Sequence, residues 1–188
     1  KPLSKEFKDY WYAGDAEITS YKLNQARYGE IRDGHSVLIF VTEPFTADSQ
    51  VKADRSKSSN IPVLKLNSTK KYLTGIYPYS IMSSTFYPVL DNNQALKVTF
   101  SAQEWCGQVF AQLNNRENFK IKSYSYFESE GDREVELNKN ILENEIWNKI
   151  RINPTDLPTG EFQLIPSFEY IRVAHRELKA YNAITGLT

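Results

Sequence analysis

The sequence predicts a mainly β fold with a minor α component: a curved antiparallel sheet, arranged as a sandwich or a part-barrel, with one packed helix near residues 140–152. Apolar and polar residues alternate along several segments, most clearly over residues 95–113, and a period of two is typical of strands. The chain contains 12 Tyr and 10 Phe, which favour strands. Its 188 residues suit a single β-rich domain, 1–188, or a piece of a longer chain.

The first part of the chain predicts a hairpin. Residues 1–12 are charged and aromatic, which suits a short helix or an arm. Residues 16–28 form a predicted strand, and Asp33-Gly34 is a strong signal for a tight hairpin turn. The return strand over 36–42 is apolar on both faces, which indicates a central position in the sheet.

The middle of the chain continues in short strands and turns. Residues 44–60 are polar and have the composition of a mobile surface loop within the domain. Further strands are predicted at 61–67, 72–77, 81–87, 95–113 and 119–127, and turns at 91–93, 114–118 and 128–132. Gly107 interrupts the alternation, so Trp105-Cys106-Gly107 is interpreted as a bulge or bend in one long strand.

A helix is predicted over residues 140–152. Leu142, Ile146 and Ile150 are spaced four apart, and Asn140 is a plausible N-cap because a Glu follows three residues later. The last part of the chain is predicted to contain strands at 160–165 and 168–173, with 175–181 ambiguous between helix and strand.

Charge and composition exclude several classes of function. The sequence contains 23 basic residues (Lys and Arg) and 23 acidic residues (Asp and Glu), so the formal net charge is zero. A nucleic-acid partner is therefore disfavoured. No apolar run approaches the roughly 20 residues of a membrane helix. The eight glycines form no phosphate-binding loop, so no cofactor is predicted.

Cys106 is the obvious candidate nucleophile, with His35 and His175 as the available bases. A thiol enzyme needs a thiolate generated by a nearby histidine or a helix N-terminus. Because Cys106 lies in a strand context, a small buried structural thiol is the favoured interpretation. The two isolated histidines have no ligand spacing, so no metal site is predicted.

Clustered aromatic residues form the candidate binding site. Aromatic rings of this kind form the floor of grooves that bind sugars or acyl chains. The alternative interpretation is that these residues form a tyrosine-rich edge of the core. The candidate ligand-binding residues are Tyr72, Tyr77, Tyr79, Phe86, Tyr87, Tyr124 and Tyr126.

Six segments carry a resemblance to a family: YWYAGDAEITSY at 10–21, QARYGE at 25–30, QVKAD at 50–54, TGIYPYS at 74–80, QEWCGQ at 103–108 and LNN at 113–115. With these, nearly the whole chain resembles an uncharacterised family from Bacteroidetes-type bacteria whose members often carry the label "septum formation inhibitor Maf". The Ser-x-Ser-Pro-Arg-Arg segment of Maf nucleotide pyrophosphatases is absent from the sequence. The resemblance implies an exported, periplasmic or membrane-anchored envelope lipoprotein, and it assigns no catalytic residue.

Three functions follow as hypotheses. The leading one is a non-catalytic envelope domain that binds a hydrophobic or amphipathic ligand or a protein partner, with a lipid, a glycan or an envelope protein as candidates. The second is a thiol-dependent hydrolase that uses Cys106. The third is a purely structural module of an envelope assembly, for which an exposed sheet edge is expected.

Overall fold

The computed structural model describes residues 3–90 and 94–186. Strands account for 53% of these described residues and helices for 14%, which confirms a mainly β fold. Eight strands form one antiparallel sheet in chain order, and the sheet is not closed. They are β1 (Glu17–Arg27), β2 (Glu30–Phe45), β3 (Ile61–Thr74), β4 (Tyr77–Pro88), β5 (Lys97–Glu104), β6 (Gly107–Asn115), β7 (Phe119–Ser125) and β8 (Arg133–Leu137).

The remaining elements are short and lie mostly after the sheet in the chain. A second sheet has the order β11-β10-β9, and a 3₁₀ turn over Glu143–Glu145 leads into the second helix. The strands are β9 (Ile141–Leu142), β10 (Gly160–Ile165) and β11 (Tyr181–Thr185), and the helices are α1 (Lys5–Trp11), α2 (Ile146–Ile152) and α3 (Phe168–Val173). Within the described ranges, no helix is long and apolar enough to cross a membrane.

The core lies on one face of the large sheet, here called the inner face. Alternate residues of β4 to β7 are buried there against Leu142, Ile165 and Phe168 of the later elements. A second cluster joins Phe7 and Trp11 of α1 to the inner face of β2 and β3. Burial of apolar area at roughly 25 cal/mol per Å² drives both contacts. The helices and the small sheet therefore cover two separate parts of the inner face.

The opposite, outer face is partly covered by the loop over residues 46–60. Glu43 and Lys65 form an ion pair on this face, with 2.6 Å between the carboxylate and ammonium atoms. Phe45 stacks on Phe86 with ring centroids 5.0 Å apart. Gln50 is buried and donates to the Asn115 carbonyl at 2.6 Å. The segment predicted as a surface loop is a loop, and this glutamine fastens it to the sheet.

The first hairpin turns at Tyr28-Gly29, so the prediction that it turns at Asp33-Gly34 is wrong. Tyr28 and Gly29 have φ values of 55° and 76°, the left-handed conformation that a two-residue hairpin turn needs at both positions. Gly34 lies inside β2. A Cβ atom there would lie 2.3 Å from the Lys71 carbonyl oxygen, so this glycine permits a close approach of two strands.

The segment around Cys106 is also a turn, and the predicted bulge is wrong. Glu104 pairs with Gly107 across β5 and β6, which leaves Trp105 and Cys106 as a two-residue hairpin loop. A Cβ atom on Gly107 would lie 2.5 Å from Cγ of Tyr126. The glycine that interrupts the alternation therefore makes room for a tyrosine ring.

The predicted helix over 140–152 exists in shortened form. Ile141 and Leu142 pair with β10 as strand β9, so the α-helix begins at Ile146 and the predicted N-cap at Asn140 is wrong. Helix α2 buries Asn148 and Lys149, whereas the sequence pattern predicted burial of its isoleucines. The buried face of α2 was not predicted because its buried residues are polar and do not form an apolar pattern.

Near the C-terminus one predicted strand is a helix. Ser167 caps α3 by accepting the Tyr170 backbone N–H at 3.3 Å, and Phe168 and Arg172, four residues apart, are both buried. The predicted strand at 160–165 is confirmed as β10. The ambiguous segment 175–181 is mostly irregular and leads into β11. The turn predicted at 91–93 lies outside the described residues.

Candidate functional site

An uncovered part of the inner face forms a groove of about 420 Å³ over β1 to β4. The groove lies where the two core clusters meet, because Leu66 and Leu38 of its lining belong to or pack against one cluster and Leu23 packs against the other. Its volume lies in the lower part of the range for small-molecule sites. The groove is lined by Tyr21, Leu23, Ser36, Leu38, Leu66, Ser68, Lys70, Ser83, Thr85, Glu143, Asn144, Trp147, Ser167 and Glu169.

The floor of the groove mixes leucines with small hydroxyl residues. Ser36 pairs with Tyr21 on one side and with Lys70 on the other. One row further along the strands, Leu38 pairs with Ser68. Serines at these inward positions leave space that larger side chains would fill, so the floor presents both apolar surface and hydrogen-bonding groups.

The roof of the groove comes from the 3₁₀ turn and the start of α2. Asn144 Nδ2 donates to the Ser83 hydroxyl at 3.2 Å, which ties this turn to β4. The Ser167 backbone N–H donates to Glu143 Oε2 at 2.7 Å, which ties it to α3. Trp147 is 52% exposed, so its ring is available to a molecule in the groove.

One ion pair crosses the groove. Lys70 Nζ lies 2.8 Å from Glu169 Oε1, and both side chains are partly buried. The pair joins β3 to α3 and fixes the position of the lysine. Its partial desolvation strengthens it relative to a pair on the open surface.

A buried charge pair supports the turn that carries Glu143. Glu145 Oε2 accepts the Ala95 backbone N–H at 2.8 Å, and Lys149 Nζ lies 3.7 Å from Glu145 Oε1. Lys149 Nζ also donates to the Tyr87 hydroxyl at 2.9 Å. Burial raises the pKa of Glu145 to about 7, although Lys149 and the backbone N–H groups oppose the rise.

This raised pKa predicts a pH dependence of stability. The unfolded chain ionises Glu145 near its ordinary pKa of 4.5, so between pH 4.5 and 7 the folded state holds more protons. The contribution of Glu145 to the free energy of unfolding should therefore fall by up to about 3 kcal/mol across that window. The measurement is urea unfolding of the wild type and Glu145→Gln from pH 4.5 to 8. A stability difference between them that is constant with pH, or that grows in favour of the wild type, contradicts it.

The predicted binding aromatics do not form one surface. Three of them, Tyr72, Tyr79 and Tyr87, are buried in the core on the inner face. Phe86 is half-buried on the outer face against Phe45, which is the opposite side of the same strand from Tyr87. The described lining of the groove includes none of the seven candidates.

The last two, Tyr124 and Tyr126, are exposed, at 49% and 70%. Tyr124 pairs with the exposed Phe110 across β6 and β7 on the outer face. Tyr126 follows β7 and lies against Gly107. Neither tyrosine is part of the described groove lining, so these two residues belong to other surfaces.

Tyr77 and Tyr79 hold one end of the sheet together. The Tyr72 and Tyr79 rings stack with centroids 4.7 Å apart. The Tyr77 hydroxyl donates to Glu104 Oε2 at 3.1 Å and accepts the Cys106 backbone N–H at 2.7 Å. Burial raises the pKa of Tyr77 to about 12. Substituting Tyr79 would disturb the core, so it is unsuitable as a test of ligand binding.

The candidate nucleophile and its candidate bases occupy different places. Cys106 is exposed at the tip of the β5–β6 hairpin, so the prediction of a buried thiol is wrong. His35 is exposed on β2 between Lys22 and Lys71 of the neighbouring strands. His175 follows α3, and its Nδ1 lies 3.2 Å from Glu130 Oε1. Among the described residues, no hydrogen bond joins Cys106 to either histidine.

The turn predicted over residues 128–132 has a structural role. Glu130 accepts the Ser125 hydroxyl at 2.7 Å and lies 3.6 Å from the buried Arg172 guanidinium. Arg172 also donates to Glu104 at 2.5 Å. In the part of the chain that the structure describes, no group of three His, Cys, Asp or Glu residues is arranged to hold a metal ion.

The residues that line the groove were missed because their signals are weak in sequence. Ser36, Ser68 and Ser83 are ordinary strand residues, and only the pairing register brings them into adjacent rows. Trp147 was predicted to belong to a helix, but not to face a cavity. Serines at positions that alternate with apolar residues were the available signal, and they indicate a floor only once the strand register is known.

Comparisons with protein-family models, with curated proteins and with solved structures found no match to this chain. The proposed function therefore rests on the groove and its lining residues.

Proposed function

We propose that this protein is a non-catalytic binding domain that holds a hydrophobic or amphipathic small molecule in the inner-face groove. The observation that carries the proposal is the 420 Å³ groove itself, which the helices leave open. The partly buried Leu23 and Leu38 supply apolar contact, and the neighbouring serines supply hydrogen-bonding groups. A mixed lining of this kind suits a molecule with an apolar body and a few polar atoms.

The test blocks the groove without disturbing the core. Ser68 is only partly buried on the inner face of β3, so Ser68→Phe should fill the cavity. The matched control is Thr69→Phe, one residue further along the same strand on the outer face. In calorimetric titration with octanol, Ser68→Phe should weaken binding at least about tenfold, because a fully buried apolar body contributes more than 1.4 kcal/mol, and Thr69→Phe should leave it unchanged.

Equal binding by the two variants would contradict the proposal. A wild-type protein that binds no probe would favour a protein partner instead. Strand β1 supports that second candidate, because among the described residues its 11 residues pair with β2 alone and its other edge has no strand partner. An open strand edge is a known site for the addition of another strand.

Two earlier hypotheses stay predictions. The envelope location and the lipoprotein anchor rest on the family resemblance, and they suit a carrier of amphipathic molecules. The thiol hydrolase predicts that Cys106→Ser abolishes an activity. The binding domain predicts that Cys106→Ser leaves ligand affinity unchanged, because the hairpin tip is not part of the groove lining.

A further inference from the structure

We infer that the groove selects an amphiphile whose polar head is a primary ammonium group, an inference that rests on the proposed function. The charged side chains in the lining are two carboxylates, Glu143 and Glu169, and one ammonium, Lys70. Lys70 is paired with Glu169 at 2.8 Å, so the lining has one negative charge in excess. Charge complementarity therefore favours a cation over an anion.

Glu143 is held in place to meet that cation. One of its oxygens, Oε2, accepts the Ser167 backbone N–H at 2.7 Å, and no contact in the described chain occupies its other oxygen. The side chain is exposed at the groove and has no basic partner in the described residues. Because the Glu143 carboxylate is already fixed, it loses little conformational entropy when a cation binds, and the entropic cost of binding is lower.

Aromatic rings flank the same groove. Trp147 is 52% exposed and Tyr21 is 45% exposed, and both belong to the lining. Trp147 is four residues after Glu143, at the other end of the turn that joins the 3₁₀ segment to α2. Aromatic faces attract ammonium groups by about 0.5–2 kcal/mol, which a carboxylate ligand would not gain.

The floor provides a further polar contact. Ser36 is only 7% exposed, and it belongs to the lining of the groove. The hydroxyl oxygen of a serine in the floor can accept a hydrogen bond from a polar group of a bound molecule. A primary ammonium donates three, whereas a quaternary ammonium has none to donate.

The experiment compares three probes with the same alkyl chain: octylammonium, octanol and octanoate. In calorimetric titration at pH 7.5, octylammonium should bind at least about fivefold more tightly than octanol, and octanoate more weakly than octanol. Raising the salt concentration should weaken octylammonium binding and leave octanol binding unchanged. Octyltrimethylammonium should bind more weakly than octylammonium, because it cannot donate to Ser36.

Two variants locate the selectivity. Glu143→Gln keeps the acceptor for Ser167 and should weaken octylammonium binding about three- to tenfold, with octanol unaffected. Ser36→Ala should weaken octylammonium about two- to fivefold. The control is Glu134→Gln, which removes an exposed carboxylate of β8 that pairs with Lys122 outside the groove.

Different results would contradict the binding groove and its selectivity for an ammonium group. If no probe binds in a manner that Ser68→Phe abolishes, the groove is not a binding site and both proposals fall. If octanol and octanoate bind the groove as tightly as octylammonium, or Glu143→Gln has no effect, the ammonium inference is overturned and the binding domain stands.

Discussion

Replacing Gly34 with alanine should lower the free energy of unfolding by about 2–3 kcal/mol. The new Cβ atom would lie 2.3 Å from the Lys71 carbonyl oxygen and 2.8 Å from Cβ of Tyr72. Both neighbours are rigid parts of β3, so relief requires β2 and β3 to separate locally. That movement would also disturb the stacked rings of Tyr72 and Tyr79.

Gly186→Ala is the matched control, because a Cβ there meets nothing within 4 Å. Its stability should stay within about 0.5 kcal/mol of the wild type. The measurement is equilibrium urea unfolding monitored by tryptophan fluorescence. Were Gly34→Ala as stable as the control, the close approach of the two strands would be refuted.

Replacing Lys149 with methionine should cost about 3–5 kcal/mol at pH 8. The substitution leaves the fully buried Glu145 carboxylate without its cation and removes the hydrogen bond to the Tyr87 hydroxyl. Loss of the lysine raises the pKa of Glu145 further, because Lys149 is the strongest influence that lowers it. At pH 5 the carboxyl group is then protonated, and the cost should be clearly smaller.

The double variant Glu145→Gln/Lys149→Met separates the charge from the packing. It carries no buried charge, so its loss of stability should be smaller at pH 8 than that of Lys149→Met alone. Unfolding curves at pH 5 and pH 8 for the wild type and these two variants provide the comparison. A cost of Lys149→Met that is the same at both pH values would show that Glu145 is not the group responsible.

Alternation along the strands was sufficient to predict much of the sheet. The pattern over 95–113 corresponds to β5 and β6, and β10 was predicted at its observed bounds. Turn positions were harder to predict, because glycine serves two purposes. Asp33-Gly34 resembles a turn in sequence, but that glycine is needed for a strand contact from a segment about 40 residues away.

The helices show a different limit of sequence reasoning. Glu145 and Lys149 have the spacing of an ordinary exposed ion pair, yet they are buried. Their burial depends on packing against distant parts of the chain, including Ala95 and Tyr87, which hydrogen-bond to them. The same applies to the groove, whose lining comes from six separate segments of the chain. Local patterns carry no information about such a cavity until the register of the strands is known.

The order of the elements has a consequence for synthesis of the protein. The eight strands of the large sheet all precede residue 138, whereas Leu142, Ile165 and Phe168, which cover its inner face, come later. During synthesis, the apolar inner face of the sheet therefore stays exposed to water until these later elements emerge from the ribosome. Nascent chains with exposed apolar surface are prone to aggregation. Chains that end prematurely after β8 should accordingly depend on chaperones or be degraded.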